Sequence, residues 1–375
     1  MEILIKKKNS NIKFYFFLTF LIFIFLELLS YFTCKFFLTK VAAVFDKNMI
    51  TQSYNKYLNI RDSEFGWDSP NQDKYGARID RSNFKNSQPC IDVYGDSFTY
   101  GHPNEVYAWP SQLSSLVKCR VRNFGVGGYG SDQAFIKFLS KNNHSNIVFL
   151  NHLSENIIRN INQFRNFIYS RTEYAFKPRY IIYKDKLKLV PIPNIKEKNI
   201  NDFLEYPNKY LYNEYFLPNG ESGIQHLKFP YILNVVKSLN HWHVKSKILL
   251  SPSRLVDFYS PDHKSQGLKI TYEILYSFYT KAKSQGLEPV LTIFPTCGDL
   301  KYYKKYNKYP YENLIKILKK KELRHIDFGP IFINFKDNDF EELYIRCSGH
   351  FNIQGEKLVS ETIYSYIVEN NLISK

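Results

Sequence analysis

What this 375-residue chain lacks narrows the field before any motif is read. It has no Cys-x-x-Cys pair, which argues against a zinc site. No Gly-x-x-x-x-Gly-Lys stretch is present to cradle a nucleotide's phosphates. A basic helix, a zinc finger and an RNA-binding motif are all missing, so nucleic acid is not expected as a partner. Neither an internal repeat nor a disordered low-complexity tract occurs. Acidic residues are in short supply: 35 Asp and Glu stand against 51 Lys and Arg, a net charge of +16. Beyond residue 38 the balance is 46 to 33, or +13. This charge is interleaved with Tyr, Phe, Asn and Ile and reads as a solvated surface near an anionic membrane or polysaccharide. His241-Trp242-His243 offers two imidazoles two residues apart, on one face if the segment is a strand. No further ligand is near, and a structural role is expected; no metal and no organic cofactor is called for.

One long apolar run is present. Residues 14–38 are rich in Phe, Leu and Ile and exceed the roughly 20 residues a membrane helix needs. Glu27 interrupts the run at a cost of about 2.5–3.5 kcal/mol if it lies centrally. Lys6, Lys7, Lys8 and Lys13 precede it. The positive-inside rule therefore leaves residues 1–13 in the cytoplasm and the main domain across the membrane, on the periplasmic side. The alternative is a signal peptide cleaved near Val41-Ala42-Ala43, but the apolar region is long for one, and a retained anchor is expected.

Residues 39–88 form a turn-rich lead-in. From residue 89, apolar runs at 90–94, 119–124, 146–151, 288–294 and near 324–328 read as strands. Helical spacing lies between or after them at 104–117, 131–140, 268–285, 311–321 and 356–368. Alternation of this kind predicts a parallel sheet. Residues 165–265 break the pattern with a hairpin about Lys184-Asp185-Lys186, an irregular Tyr/Asn-rich stretch and a helix at 229–242. They read as an insertion or lid over the site.

The most informative stretch is Gly95-Asp96-Ser97-Phe98-Thr99-Tyr100-Gly101. It sets a serine at a strand-to-helix turn, where a nucleophile and backbone N–H donors can share one place. Thr99 occupies the position two after the serine, so this is not the Gly-x-Ser-x-Gly elbow. A second turn, Asn123-Phe124-Gly125-Val126-Gly127-Gly128-Tyr129-Gly130, follows the next strand. It contains Gly-x-Gly-x-x-Gly, but neither the first strand of a βαβ unit nor a spaced acidic ribose ligand accompanies it. A third strand runs into Leu153-Ser154-Glu155-Asn156, and Cys347-Ser348-Gly349-His350-Phe351-Asn352-Ile353-Gln354-Gly355 precedes the last helix.

In this order the four segments resemble the blocks of the SGNH (GDSL-type) hydrolases, over roughly residues 89–160 and 265–370. The resemblance implies a three-layer α/β/α sandwich, flavodoxin-like, with about five parallel strands. It implies Ser97 as nucleophile and His350 as general base. The N–H groups of Ser97 and Gly128 and the side chain of Asn156 would form the oxyanion hole. An aspartate belongs two or three residues before the histidine, and here those places hold Ser348 and Cys347. Three readings follow: a Ser–His dyad, a substitute acid among Asp337, Asp339, Glu341, Glu342 and Glu155, or a non-catalytic member. The implied activity is that of an esterase on O-acyl groups of an envelope glycan or lipid. Alternatives are an O-acyltransferase with a membrane acyltransferase partner, and a glycan-binding protein. The family's neighbouring first two strands also make a Cys90–Cys119 disulfide an expectation, with Cys297–Cys347 as a second pair.

Overall fold

The computed structural model describes residues 2–347 and 349–373, the side chains of 2–11, Met49, Glu197, Asp337 and Asn338 excepted. Five parallel strands form the central sheet: β1 Pro89–Gly95, β2 Arg120–Gly125, β3 Ile147–Leu153, β4 Glu288–Phe294 and β5 His325–Asp327. Their spatial order is β5-β4-β3-β1-β2. Tyr94 pairs with both Phe124 and Leu150, and Phe294 with Leu153, so four strands end nearly level. The order reverses between β1 and β3, where two connections leave in opposite directions and open a crevice at the carboxyl edge.

Alternation along each strand separates the two apolar layers. Ile91, Val93, Val121, Ile147, Phe149 and Val290 face one way, with Trp109, Leu113, Val359 and Ile363 from the helices Trp109–Val117 and Ile353–Glu369. Tyr94, Phe124, Val148, Leu150, Leu291 and Ile293 face the other, against Ser131–Leu139, Gly267–Ser284 and Glu312–Lys320. A period of two in the strands and 3.6 in the helices produces the three-layer sandwich that the resemblance implies. Both expected disulfides are present, Cys90–Cys119 with Cα atoms 6.0 Å apart and Cys297–Cys347 with 5.1 Å.

Several elements differ from the sequence reading. The expected helix at 104–117 is a 3₁₀ turn, Glu105–Tyr107, and then a helix beginning at Trp109, because Pro110 fits the first turn of a helix but not its interior. The expected helix at 229–242 is two helices, Tyr231–Ser238 and Trp242–Ile248. His241 immediately precedes the second, without a side-chain capping bond, and His243 lies within it, so the two do not share a strand face. The lead-in contains a helix, Lys47–Tyr57, capped by Asp46, and a second unforeseen helix, Cys297–Tyr306, is capped by Thr296. Their Lys- and Tyr-rich faces carry too weak an apolar stripe to announce them. The hairpin Arg179–Tyr183/Lys186–Val190 is as expected.

The lead-in is woven into the domain. Val44–Phe45 pairs in parallel with Gln225–His226 of the insertion, and the fully buried Trp67 donates Nε1–H to the Gly127 carbonyl at 2.9 Å. Residues 12–41 form a segment long and apolar enough to cross a membrane, its side chains mostly exposed. Glu27 within it is not a stray charge: its Oε2 accepts the Tyr231 N–H at 2.6 Å and so caps the helix Tyr231–Ser238. Just after the segment, Ala42, Ala43, Val44 and Phe45 are all buried in the domain.

Candidate active site

Ser97 opens a four-residue helical turn at the end of β1. Asp96 caps that turn by accepting the Phe98 N–H at 2.9 Å. Gly95 is dictated by packing, since a Cβ there would lie 2.0 Å from the Thr99 hydroxyl oxygen. The Ser97 Oγ is 2.8 Å from Nε2 of His350, a contact that closes 253 residues of chain. This is hydrogen-bond distance for a nucleophile and its base.

His350 sits on a loop between Leu343 and the last helix. Its carbonyl accepts the Ile345 N–H at 2.9 Å, and its ring packs on Phe98 with centroids 4.9 Å apart. The Cys297–Cys347 disulfide ties the same loop to the helix that follows β4. Desolvation lowers the pKa of the ring and Arg159 adds to this, while Asp96 and Glu155 oppose it. Part of the ring nevertheless faces the open cleft, so the shift is a modest bias toward the neutral, proton-accepting form.

No carboxylate hydrogen-bonds the His350 ring among the described residues. Glu341 pairs with Lys301 at 3.2 Å and Glu342 with Lys336 at 3.0 Å, while Asp339 stands exposed. Ser348 and the Asp337 side chain lie outside the described residues. Glu155 is engaged elsewhere, with Arg159 at 2.5 Å and Arg254 at 2.9 Å. Burial works to raise the Glu155 carboxyl, but these two guanidiniums outweigh it and hold it well below the usual carboxylate range.

Gly128 lines the cleft beside Ser97. Its φ of +77° favours glycine, and a Cβ would meet the Tyr174 ring at 2.5 Å. Asn156 opens the short helix after β3 and is fully buried, but it does not line the cleft, and neither end of its amide finds a hydrogen-bond partner. The structure therefore brings Ser97, His350 and Gly128 together and leaves Asn156 set back from them. A buried amide unpaired at both ends is unfavourable.

The cleft has a volume of about 930 Å³. Sheet-borne residues form one wall; the insertion supplies the other through Arg165, Tyr169–Thr172, Tyr174, His243, Ser246, Lys247 and Ser251–Leu255. Sequence reading found neither Arg165 nor the Glu155–Arg159–Arg254 cluster. Arg159 holds Asp96 at 2.9 Å, next to the nucleophile, and Arg254 donates to the Tyr169 hydroxyl at 2.9 Å. The only signal available was the Glu155/Arg159 spacing of four on one helical face. His243 lines the cleft with a pKa pushed to about 3, by burial first and then by Arg254 and Lys247. Cys297, Glu341 and Cys347 bring potential metal-binding atoms close together, but both sulfurs are spent in the disulfide.

No family model matches the chain, and no curated protein does. Among solved structures it is similar to a protein described as lipolytic, of the G-D-S-L family, from Desulfitobacterium hafniense, at 14% identity over 73% of this chain and 97% of that one, TM-score 0.36. A protein described as an acylhydrolase from Bacteroides fragilis matches at 11% identity over 86% and 96%, TM-score 0.35. One from Lactobacillus plantarum matches at 9% identity over 76% and 98%, TM-score 0.38.

Proposed function

We propose that this chain is a membrane-anchored SGNH-type serine acyl hydrolase that removes O-acyl groups from a cell-envelope glycan or lipid. The observation that carries the reading is the 2.8 Å contact between Ser97 Oγ and His350 Nε2 at the carboxyl edge of a parallel sheet. The Oγ attacks the ester carbonyl while Nε2 takes its proton. The charge that develops on the carbonyl oxygen is met by the backbone N–H groups of Ser97 and Gly128, with the Asn156 amide turning in as the third donor. His350 then protonates the departing alcohol, leaving the acyl group on Ser97. Water, deprotonated by the same ring, releases it as the acid. For Nε2 to accept, the ring must carry its proton on Nδ1, and here packing and the disulfide stand in for the carboxylate that usually orients such a ring.

A second reading is supported by Lys40, which stands at the very end of the apolar segment Ile12–Val41 and also lines the cleft. Such a site lies close to the bilayer, where a membrane acyltransferase partner could hand over an acyl group and a sugar hydroxyl could replace water as acceptor. The anchor would keep residues 1–13 cytoplasmic and the domain extracytoplasmic. The test is 4-nitrophenyl acetate turnover by the full chain in detergent micelles, with fluorophosphonate labelling. Ser97→Ala should abolish both, and equal labelling of that variant would remove Ser97 from the mechanism. Periplasm-only activity of a reporter fused after Lys375 checks the orientation.

A further inference from the structure

The charges around the cleft are lopsided. Lys40, Arg159, Arg165, Arg171, Lys247 and Arg254 line it, against a single carboxylate, Glu155. That carboxylate is already shared by Arg159 and Arg254. Arg165 is different from its neighbours. It opens the insertion, on a 3₁₀ turn, and is only 3% exposed. Its Nε and Nη1 are buried and have no hydrogen-bond partner. The Tyr169 ring face lies 4.7 Å from the guanidinium carbon and, with Glu155 and Tyr174, only partly offsets its burial.

A guanidinium has five donors and cannot relieve its burial by losing a proton in the working range, so an unpaired buried one is unfavourable. Burial pushes Arg165 down to about 10, with the positive charge of Arg159 adding to it, and this still leaves the group cationic at neutral pH. A structural arginine would show the carboxylate or carbonyl partners that Arg159, Arg179 and Arg254 have. Arg165 instead lines the same cleft as the nucleophile while two of its buried donors stay unused.

We infer that Arg165 is the anion-binding residue of the acyl-ester site, and that the substrate is an ester carrying a phosphate or carboxylate beside the scissile bond. This rests on the acyl-hydrolase reading for the reaction but not for the binding. Phosphate and carboxylate both accept charge-assisted bonds from a guanidinium. Rim cations Lys40, Arg171 and Lys247 would draw such a substrate in before Arg165 fixes it. Placing the anion there would orient the ester carbonyl over Ser97, so the effect belongs to recognition more than to the chemical step.

The experiment uses the full chain in detergent micelles and three esters. 4-Nitrophenyl acetate is neutral, mono-4-nitrophenyl succinate carries a carboxylate on the acyl side, and 1-acetyl-sn-glycerol 3-phosphate carries the anion on the leaving side. Arg165→Gln should lower kcat/KM for at least one anionic ester by about 10- to 100-fold, the worth of a hydrogen bond to a charged group, and change the neutral ester less than about twofold. Arg165→Lys should recover part of the loss. Independently of turnover, titration with sn-glycerol 3-phosphate and with glucuronate should raise the melting temperature of the wild type for the anion the site prefers, and Arg165→Gln should abolish that rise. Without ligand, Arg165→Gln should melt higher than the wild type, because an uncompensated buried charge has been removed. Equal losses on all three esters, superimposable anion titrations, or a ligand-free melting temperature that falls would each overturn the assignment. If no ester turns over but the titrations differ as stated, the anion site stands and the hydrolase reading falls.

Discussion

The two walls of the cleft are built on opposite principles. The sheet wall, with Ser97, Gly128 and His350, is almost uncharged and hangs on strand ends and a disulfide. The insertion wall, with Arg165, Tyr169 and Arg254, is cationic and hangs on irregular chain. Glu155 and Arg159, at the exit of β3, join the two through ion pairs. The division teaches where each task can live. Proton transfer needs atoms held to a fraction of an ångström, which a packed sheet supplies. Recognition needs reach and charge, which a long insertion supplies without disturbing the sheet.

The comparison breaks most sharply at His350. His350→Ala should lower turnover of the neutral ester by about 10⁴- to 10⁶-fold, with unchanged far-ultraviolet circular dichroism, while binding of anions to the other wall survives. An effect below tenfold would move the base elsewhere.

The two disulfides sharpen it next, because they lie at opposite ends of the sheet. They close 29 and 50 residues, and chain entropy makes each worth about 3–4 kcal/mol. Cys119→Ser and Cys347→Ser should therefore cost similar stability in denaturant unfolding. Only Cys347→Ser should also lower kcat, since only that bridge holds the His350 loop. Equal kcat values would show that packing on Phe98 is enough.

Glu155→Gln tests the joint. It leaves Arg159 and Arg254 short of a buried partner and should cost about 3 kcal/mol, the low end of a buried pair because Arg254 keeps some surface in water. Fluorophosphonate labelling of Ser97 should persist at temperatures where the variant is folded.

The smallest effect contrasts two carboxyls by the sign of their pH dependence. Glu155 is held below its ordinary value, so its stabilisation is present above about pH 4.3 and lost as pH falls. Glu356, behind the Ser97 turn, accepts the Trp109 N–H at 2.8 Å. Its pKa is raised to about 8, chiefly by burial, so its favourable state is the protonated one and stability is lost as pH rises toward 8. Glu356→Gln should flatten melting temperature between pH 5 and 8 and exceed the wild type above pH 8 by at least about 1.4 kcal/mol, the worth of one pKa unit. A variant melting below the wild type at pH 8.5 would contradict this.

Much of the sheet wall was legible in the chain. β4 at 288–294 is read correctly to the residue, because Glu288 to Phe294 combines an apolar run with a preceding Gly286 turn. Ser97 stands out at its glycine-flanked strand-to-helix turn, and Gly128 was reached through the spacing that the family resemblance implies. The insertion wall was not legible. Residues 201–223 show no period, and Arg165, Arg171 and Arg254 look like any surface arginines until the chain folds. The break at Leu239–His241 was also hidden, since the apolar spacing runs on through it.

By itself the sequence determined what local interactions decide: which stretches are the strands of the sheet, which turns demand glycine, and which segment is apolar enough to span a membrane. These depend on neighbours within a few residues. Tertiary structure alone decided that, among the described residues, no carboxylate hydrogen-bonds the ring of His350, the histidine the resemblance had implied, and that Nε and Nη1 of Arg165 are buried without a hydrogen-bond partner. Those outcomes depend on burial and on contacts between residues far apart in the chain, and the charge state, reach and partners of a side chain take their meaning only once water has been excluded around it.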